Sequence, residues 1–297
     1  MKKYIKKYVE IPSGEKIAYL EEGKGDKVLV LLHGNMSSSI HWTPLIEKLE
    51  HDYKIYAPDF RGLGDSSYNK PFDSLEELGE DIKAFCDKLA IKKAAFAGWS
   101  AGGGVVLYLA ATYPKLVKQV LLVNSMSYRG YPVYKKDANG QVLLGQVYKS
   151  KEEMALDPVQ VLPVQTAIEA KNYELMENVW NFAIYSAGRG PSPEDGHIYL
   201  TETLKQRCLI DVDWALANFN MSDKHNGYNP GNGLAAKVTC PIVSYWGEKD
   251  ITVPSYMALE NKEGFKQLEF VVIKDSGHSP IIDQTDFLAQ SFKEHLK

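Results

Sequence analysis

The chain has 297 residues, 44% hydrophobic and 24% charged, enough for a sizeable core in one large domain, with or without an insertion. A formal net charge of −4 and a pI near 6.0 give no reason to expect nucleic acid or an anionic membrane as partner. No apolar run approaches the roughly 18 residues a membrane span requires.

Lys2, Lys3, Lys6 and Lys7 form a basic start, but no apolar stretch follows, so a signal peptide is not expected. Tyr8–Ile11 and Lys16–Glu21 flank the turn Pro12-Ser13-Gly14-Glu15 and read as a hairpin. Val28–Leu32 is apolar throughout, as in a strand covered on both faces of a parallel sheet. It runs into His33-Gly34-Asn35-Met36. A helix over Thr43–Leu49 carries Pro44 in its first turn. Tyr53–Ala57 is the next strand, ending in Pro58-Asp59-Phe60-Arg61-Gly62-Leu63-Gly64-Asp65-Ser66. Ser74–Leu89 is an amphipathic helix with Leu75, Leu78, Ile82, Phe85 and Leu89 on one side. Ser74 and Glu77 make a capping-box pattern at its start. Ala94–Ala97 is a short buried strand, followed by Gly98-Trp99-Ser100-Ala101-Gly102 and a helix whose apolar face runs from Val105 to Ala111. Val117–Val123 is another apolar strand.

Strand and helix alternate to this point, which indicates a doubly wound, mostly parallel α/β sheet. Such sheets bind ligands beyond the carboxyl ends of their strands. His33, Asp59 and Ser100 all follow strand ends, so one common crevice is expected. From Met126 to Ala236 the strand signals vanish. Pro163–Ala183 and Thr201–Leu216 carry helical spacing, and Asn226–Gly233 is a loop. This region reads as a helical cap, 126–236, inserted over the crevice of a core formed by 1–125 and 237–297. The sheet pattern returns with strands at Pro241–Trp246 and Leu268–Ile273 and a closing helix at Thr285–Leu296.

Gly98-Trp99-Ser100-Ala101-Gly102 is a Gly-x-Ser-x-Gly between strand and helix. A serine on such a turn is strained and its hydroxyl is exposed. Gly98 and Gly102, lacking a Cβ, let strand and helix approach closely. A serine hydroxyl is a poor nucleophile near neutral pH and needs a base, with a carboxylate to orient that base. His278 follows the last strand in Ser276-Gly277-His278, and Asp250 ends Gly247-Glu248-Lys249-Asp250 after the strand before it. The order Ser100, Asp250, His278 matches that of one hydrolase architecture. Cys86, Cys208 and Cys240 lack any motif context and read as core filler in a reducing, cytoplasmic setting. Without a Cys/His cluster no metal is expected.

Together these motifs resemble the α/β-hydrolase fold family, of the esterase, cofactor-free peroxidase and lactonase type. The matches are His33-Gly34-Asn35, the segment Asp59–Ser66, Gly98-Trp99-Ser100-Ala101-Gly102-Gly103-Gly104, Gly247–Asp250 and Ser276–His278, in that order. The resemblance implies an eight-stranded, mostly parallel sheet flanked by helices, with an inserted helical cap. It implies Ser100 as nucleophile, His278 as general base and then acid, and Asp250 as orienting carboxylate, with Glu248 as the rival acid. The oxyanion hole is expected from the main-chain N–H groups of Asn35 and Ala101, with Met36 as the alternative second donor. His33 is expected to stabilise its turn, and Asp59 and Arg61 to tie loops together beneath the site. An aspartate nucleophile, as in haloalkane dehalogenases and epoxide hydrolases, is excluded by Ser100. An acid after the sixth strand is disfavoured, because that strand ends in Asn124-Ser125.

Trp99, Met126, Trp180 and Trp214 are candidates to line an apolar substrate pocket. Arg129, Arg189 and Arg207 read as solvated, with the pinning of an anionic substrate as the alternative; His197 and His225 read as surface residues. The expected activity is acyl-enzyme hydrolysis of small, moderately apolar esters or lactones by a monomer or homodimer without cofactor. The alternatives are a C–C bond hydrolase, a cofactor-free peroxidase, or a low-turnover ligand receptor.

Overall fold

The computed structural model describes residues 2–186 and 188–296. The apolar runs read from the sequence become the strands of one eight-stranded sheet: β1 (Lys7–Glu10), β2 (Lys16–Glu22), β3 (Lys27–Leu32), β4 (Tyr53–Pro58), β5 (Ala94–Trp99), β6 (Val117–Val123), β9 (Ile242–Gly247) and β10 (Leu268–Ile273). Their spatial order is β1-β2-β4-β3-β5-β6-β9-β10. β1–β2 and β2–β4 pair antiparallel, and every other pair is parallel. β5 lies inside the sheet between β3 and β6, and all six of its residues are buried.

The two-residue period of the strands divides the core. Val30, Leu32, Phe96, Val120 and Leu122 face one side and pack on α2 (Leu75–Lys88) and α3 (Ala101–Thr112). Leu29, Leu31, Ala97, Leu121 and Val123 face the other, against α1 (Thr43–Leu49) and the last helix, α11 (Thr285–His295). Because both faces are covered, the inner strands tolerate no polar alternation, and this is why they stood out in the sequence. α2 begins as expected: Ser74 Oγ accepts the Glu77 N–H at 3.3 Å.

Between β6 and β9 three expectations need correction. The region holds strands after all: β7 (Tyr134–Lys136) and β8 (Val142–Val147) form a separate antiparallel pair. Its side chains are mostly exposed or half-buried, so it lacks the apolar face that marks a strand in sequence. After the single turn α4 (Lys151–Met154), the helix read across 163–183 is two helices, α5 (Leu162–Glu169) and α6 (Tyr173–Ala183). Lys171 adopts φ 51°, and the Asn172 side chain caps α6 by accepting the Leu175 N–H at 3.0 Å. The helix read across 201–216 is likewise broken, into α7 (Pro193–Thr203) and α8 (Leu209–Asn218). α7 starts early because Ser192 caps it, Pro193 opens it and Glu194 and Asp195 fill its first turn. Two further helices went unread, α9 (Ser255–Gly264) and the single turn α10 (Pro280–Asp283). α9 buries only Met257, Ala258 and Asn261, too little for a periodic apolar stripe. Among the described residues no helix is long and apolar enough to cross a membrane.

Candidate active site

Ser100 stands at the junction of β5 and α3. Its φ of 55° and ψ of −119° lie where L side chains are rarely found, so the surroundings must hold it there. They do so through the backbone. The Ser100 N–H donates to the Val123 carbonyl at 3.0 Å, and its own carbonyl accepts from Gly103 N–H at 3.0 Å. A Cβ at Gly98 would lie 2.4 Å from the Gly102 carbonyl oxygen, and one at Gly102 would lie 2.4 Å from that of Leu32. The ends of β3 and β5 and the first turn of α3 therefore touch main chain to main chain. A Cβ on Gly34 would be 2.9 Å from Ser100 Cβ, so the loop after β3 lies directly against the serine.

Asp250 follows β9 and His278 follows β10, and both are buried. His278 Nδ1 is 2.8 Å from Asp250 Oδ2. An Nδ1–H donated to the carboxylate leaves the imidazole lone pair on Nε2. Asp250 Oδ2 also accepts from Asn124 Nδ2 at 2.5 Å, and Oδ1 accepts the N–H groups of Thr252 and Val253 at 2.8 and 2.9 Å. Four donors fix this carboxylate. The Asn124 amide donates to the Gly277 carbonyl as well, at 3.0 Å, and so joins the acid to the histidine loop. Trp99 Nε1 donates to the His278 carbonyl at 2.8 Å. Glu248, the rival acid, accepts the Asp275 N–H at 2.9 Å and has no contact with His278 among those described.

Ser100 and His278 line one cavity of about 410 Å³. Among the described hydrogen bonds none engages the main-chain N–H of Asn35 or of Ala101, the first residue of α3. The Met36 N–H is instead occupied, donating to Asn35 Oδ1 at 2.9 Å and Gln206 Oε1 at 3.1 Å. The loop is braced by residues between the end of α7 and α8. Gln206 Nε2 donates to Asn35 Oδ1 at 2.8 Å, Thr203 Oγ1 to the Met36 carbonyl at 2.7 Å, and Asn35 Nδ2 to Asp213 Oδ1 at 2.9 Å.

Of the four expected pocket residues, Trp99, Met126 and Trp180 line the cavity, and Trp214 does not. On α8 the cavity side is Leu209, Asp213 and Leu216, one helical face. Trp214 is turned about 100° from Asp213 and packs edge-on against Tyr228, 6.2 Å between ring centres. None of the three arginines reaches the cavity. Arg129 pairs with Glu260 at 3.4 Å, Arg189 donates to the Asp283 carbonyl at 2.8 Å, and Arg207 to that of Ser66 at 2.5 Å. His197 and His225 are exposed, and all three cysteines are free thiols.

His33 is fully buried; its Nε2 accepts the Phe60 N–H at 2.9 Å and its Nδ1 lies 2.8 Å from the Gly34 carbonyl. Burial lowers its pKa to about 4, so it is neutral and ties the Gly34 loop to the loop after β4. Burial alone would raise the Asp59 carboxyl, but the Lys6 ammonium 2.7 Å away, with smaller help from His33 and the Ser39 N–H, holds the pKa below the usual value. Lys6 also meets Asp65 at 2.9 Å and Glu202 at 2.7 Å, while Lys205 pairs with the same two acids. Asp59, Asp65 and Glu202 cluster closely enough to hold a metal ion, but the Lys6 and Lys205 ammonium groups already pair with them. Arg61 clasps Asp81 through Nε and Nη2 at 2.8 and 2.7 Å.

Sequence reasoning missed Asn124, Gln206 and Asp213. Burial first, then the charge of Asp157, push the Asp213 carboxyl up to about 7, against the Asn35 hydrogen bond and Lys136, which lower it. Only Asn124 left a trace, as the neutral residue where the family can place an acid.

The sequence profile of the alpha/beta hydrolase fold matches residues 27–285. Lipase 1 of Psychrobacter immobilis is 24% identical over 296 residues, covering 97% of this chain and 82% of that lipase. The pimeloyl-[acyl-carrier protein] methyl ester esterase of Aliivibrio salmonicida is 24% identical over 265 residues, covering 89% and 90% respectively. An esterase from Exiguobacterium antarcticum superposes with a TM-score of 0.74 at 17% identity, over 98% of this chain and 99% of that one.

Proposed function

As this chain belongs to the alpha/beta hydrolase fold family, we propose that it is a serine hydrolase of small, moderately apolar carboxylic esters, lactones included. Its lipase and esterase relatives support ester cleavage. The observation that carries the reading is the His278–Asp250 pair, 2.8 Å apart, with Ser100 and His278 lining one cavity.

His278 Nε2 takes the hydroxyl proton as Ser100 Oγ attacks the ester carbonyl. Asp250 orients the ring and stabilises the imidazolium. The oxyanion is held by the N–H groups of Asn35 and Ala101, the latter pointing from the positive end of α3. Each such donor contributes about 3 kcal/mol to transition-state stabilisation. Collapse of the tetrahedral species returns the proton from His278 to the departing alcohol and leaves an acyl-serine. Water, deprotonated by His278, then attacks this ester, and collapse returns the proton from His278 to Ser100 Oγ, releasing the carboxylic acid and freeing the serine. Residues 126–236 act as a cap: Val164, Trp180, Leu209 and Leu216 supply the apolar wall that receives the acyl or alcohol group.

Hydrolysis of p-nitrophenyl acetate and butyrate tests the proposal. Turnover by the wild type and its loss in Ser100→Ala are expected; equal rates in both proteins contradict it.

A further inference from the structure

Asp213 is the one carboxyl among the described residues lining the cavity, whose remaining wall is mostly apolar. It projects from α8 beside Leu209 and Leu216. Its Oδ1 accepts from Asn35 Nδ2 at 2.9 Å, and among the described residues no hydrogen bond reaches Oδ2. The nearby charged groups are engaged elsewhere. Lys136 Nζ is bound to Asp157 Oδ2 at 2.6 Å and to Gln160 Oε1 at 2.5 Å, and the Tyr148 hydroxyl donates to the same Asp157 oxygen at 2.7 Å. Of the other polar side chains of the wall, Tyr131 donates to the Thr252 carbonyl and Thr252 to that of Ala183, at 2.8 and 2.7 Å. Asp213 thus offers the cavity an oxygen with no partner, and an ester without a polar substituent leaves that oxygen desolvated and unpaired.

We propose that Asp213 is a specificity-determining residue that selects esters bearing a hydroxyl group close to the scissile carbonyl. The inference rests on Ser100 being the nucleophile. Its geometry comes from Asn35, whose N–H holds the oxyanion in the proposed reaction while its side chain reaches Asp213. One side-chain length separates the two, so the selected hydroxyl belongs on the second or third carbon of the acyl chain, the carbonyl carbon being the first. A hydroxyl fits better than an ammonium group or a ketone because it both donates and accepts. It can donate to the ionised carboxylate or accept from the protonated acid, whereas an ammonium suits only the first form and a carbonyl only the second.

The test compares kcat/KM for ethyl butyrate, ethyl 2-hydroxybutyrate and ethyl 3-hydroxybutyrate by pH-stat. The wild type is expected to prefer at least one hydroxy ester by tenfold or more. In Asp213→Val that preference falls to about one. Gln206→Leu, which loosens the same Asn35 loop from its other side, lowers all three rates together and keeps the preference. A wild-type ratio near one overturns the proposal, whether or not Asp213→Val folds. So does a ratio that survives in Asp213→Val, which would make Asp213 only a brace for Asn35. If none of the three esters is cleaved, the serine hydrolase reading itself fails, an outcome distinct from cleavage without preference.

Discussion

Replacing Asp213 by asparagine removes a titration that opposes folding near neutral pH. Burial and the charge of Asp157 raise this carboxyl from its ordinary 3.8 to about 7. Between those values the folded chain keeps a proton that the unfolded chain has released. Stability therefore falls as pH rises through that window, and the full loss is present only above the folded value. A gap of about three units corresponds to about 4 kcal/mol at 1.36 kcal/mol per unit. Asparagine has nearly the same shape, and its amide oxygen can still accept from Asn35, but it carries no charge at any pH. Urea unfolding of both proteins measures the difference. The variant's advantage should be small at pH 4 and grow by about 2–3 kcal/mol between pH 5 and pH 8. A difference that stays constant across that range refutes the reasoning, because Asp213 would then ionise in the folded protein as readily as in the unfolded chain.

Other perturbations probe separate parts of the site. Gly34→Ala places a Cβ 2.9 Å from Ser100 Cβ and 3.2 Å from the Trp99 carbonyl oxygen, pushing the Asn35 loop off the serine; kcat should fall about 100-fold, with a smaller stability cost of about 1–3 kcal/mol by urea titration. Asn124 adopts φ 42°, a conformation glycine accepts freely, so Asn124→Gly removes the amide from Asp250 without straining the chain; steady-state assays should show kcat/KM reduced about tenfold, as for loss of a hydrogen bond to a charged group. Lys6→Met leaves Asp59, Asp65 and Glu202 with one cation fewer in a largely buried cluster, and denaturant titration should show about 3 kcal/mol or more of destabilisation.

The sheet was legible because its inner strands are buried on both faces: Val28–Leu32 and residues 120–123 hold no polar residue and end in turn-forming loops. The loops that carry Ser100, Asp250 and His278 were legible for a related reason. Each follows a strand directly, and the glycines around them mark close backbone approach. The region between β6 and β9 was not. Its hairpin covers little apolar surface, and the breaks at Lys171 and near Cys208 fall within runs whose helical spacing continues across them. Asn124, Gln206 and Asp213 lay beyond sequence reasoning for a different reason. Asn124 meets Asp250 from 126 positions away, and Asp213 meets Asn35 from 178. A polar residue outside any motif acquires its role only through such a contact. Trp214 shows the converse: its size suggested a pocket wall, but the face of α8 it occupies turns it toward Tyr228.

In the proposed reaction His278 and Asp250 make the Ser100 hydroxyl nucleophilic. Intact-protein and peptide mass spectrometry after treatment with a fluorophosphonate reads that reactivity. One covalent adduct per chain, located on Ser100 and strongly slowed in His278→Ala, is predicted. A protein that stays unmodified, or one labelled elsewhere while Ser100 remains free, rules out a nucleophilic Ser100.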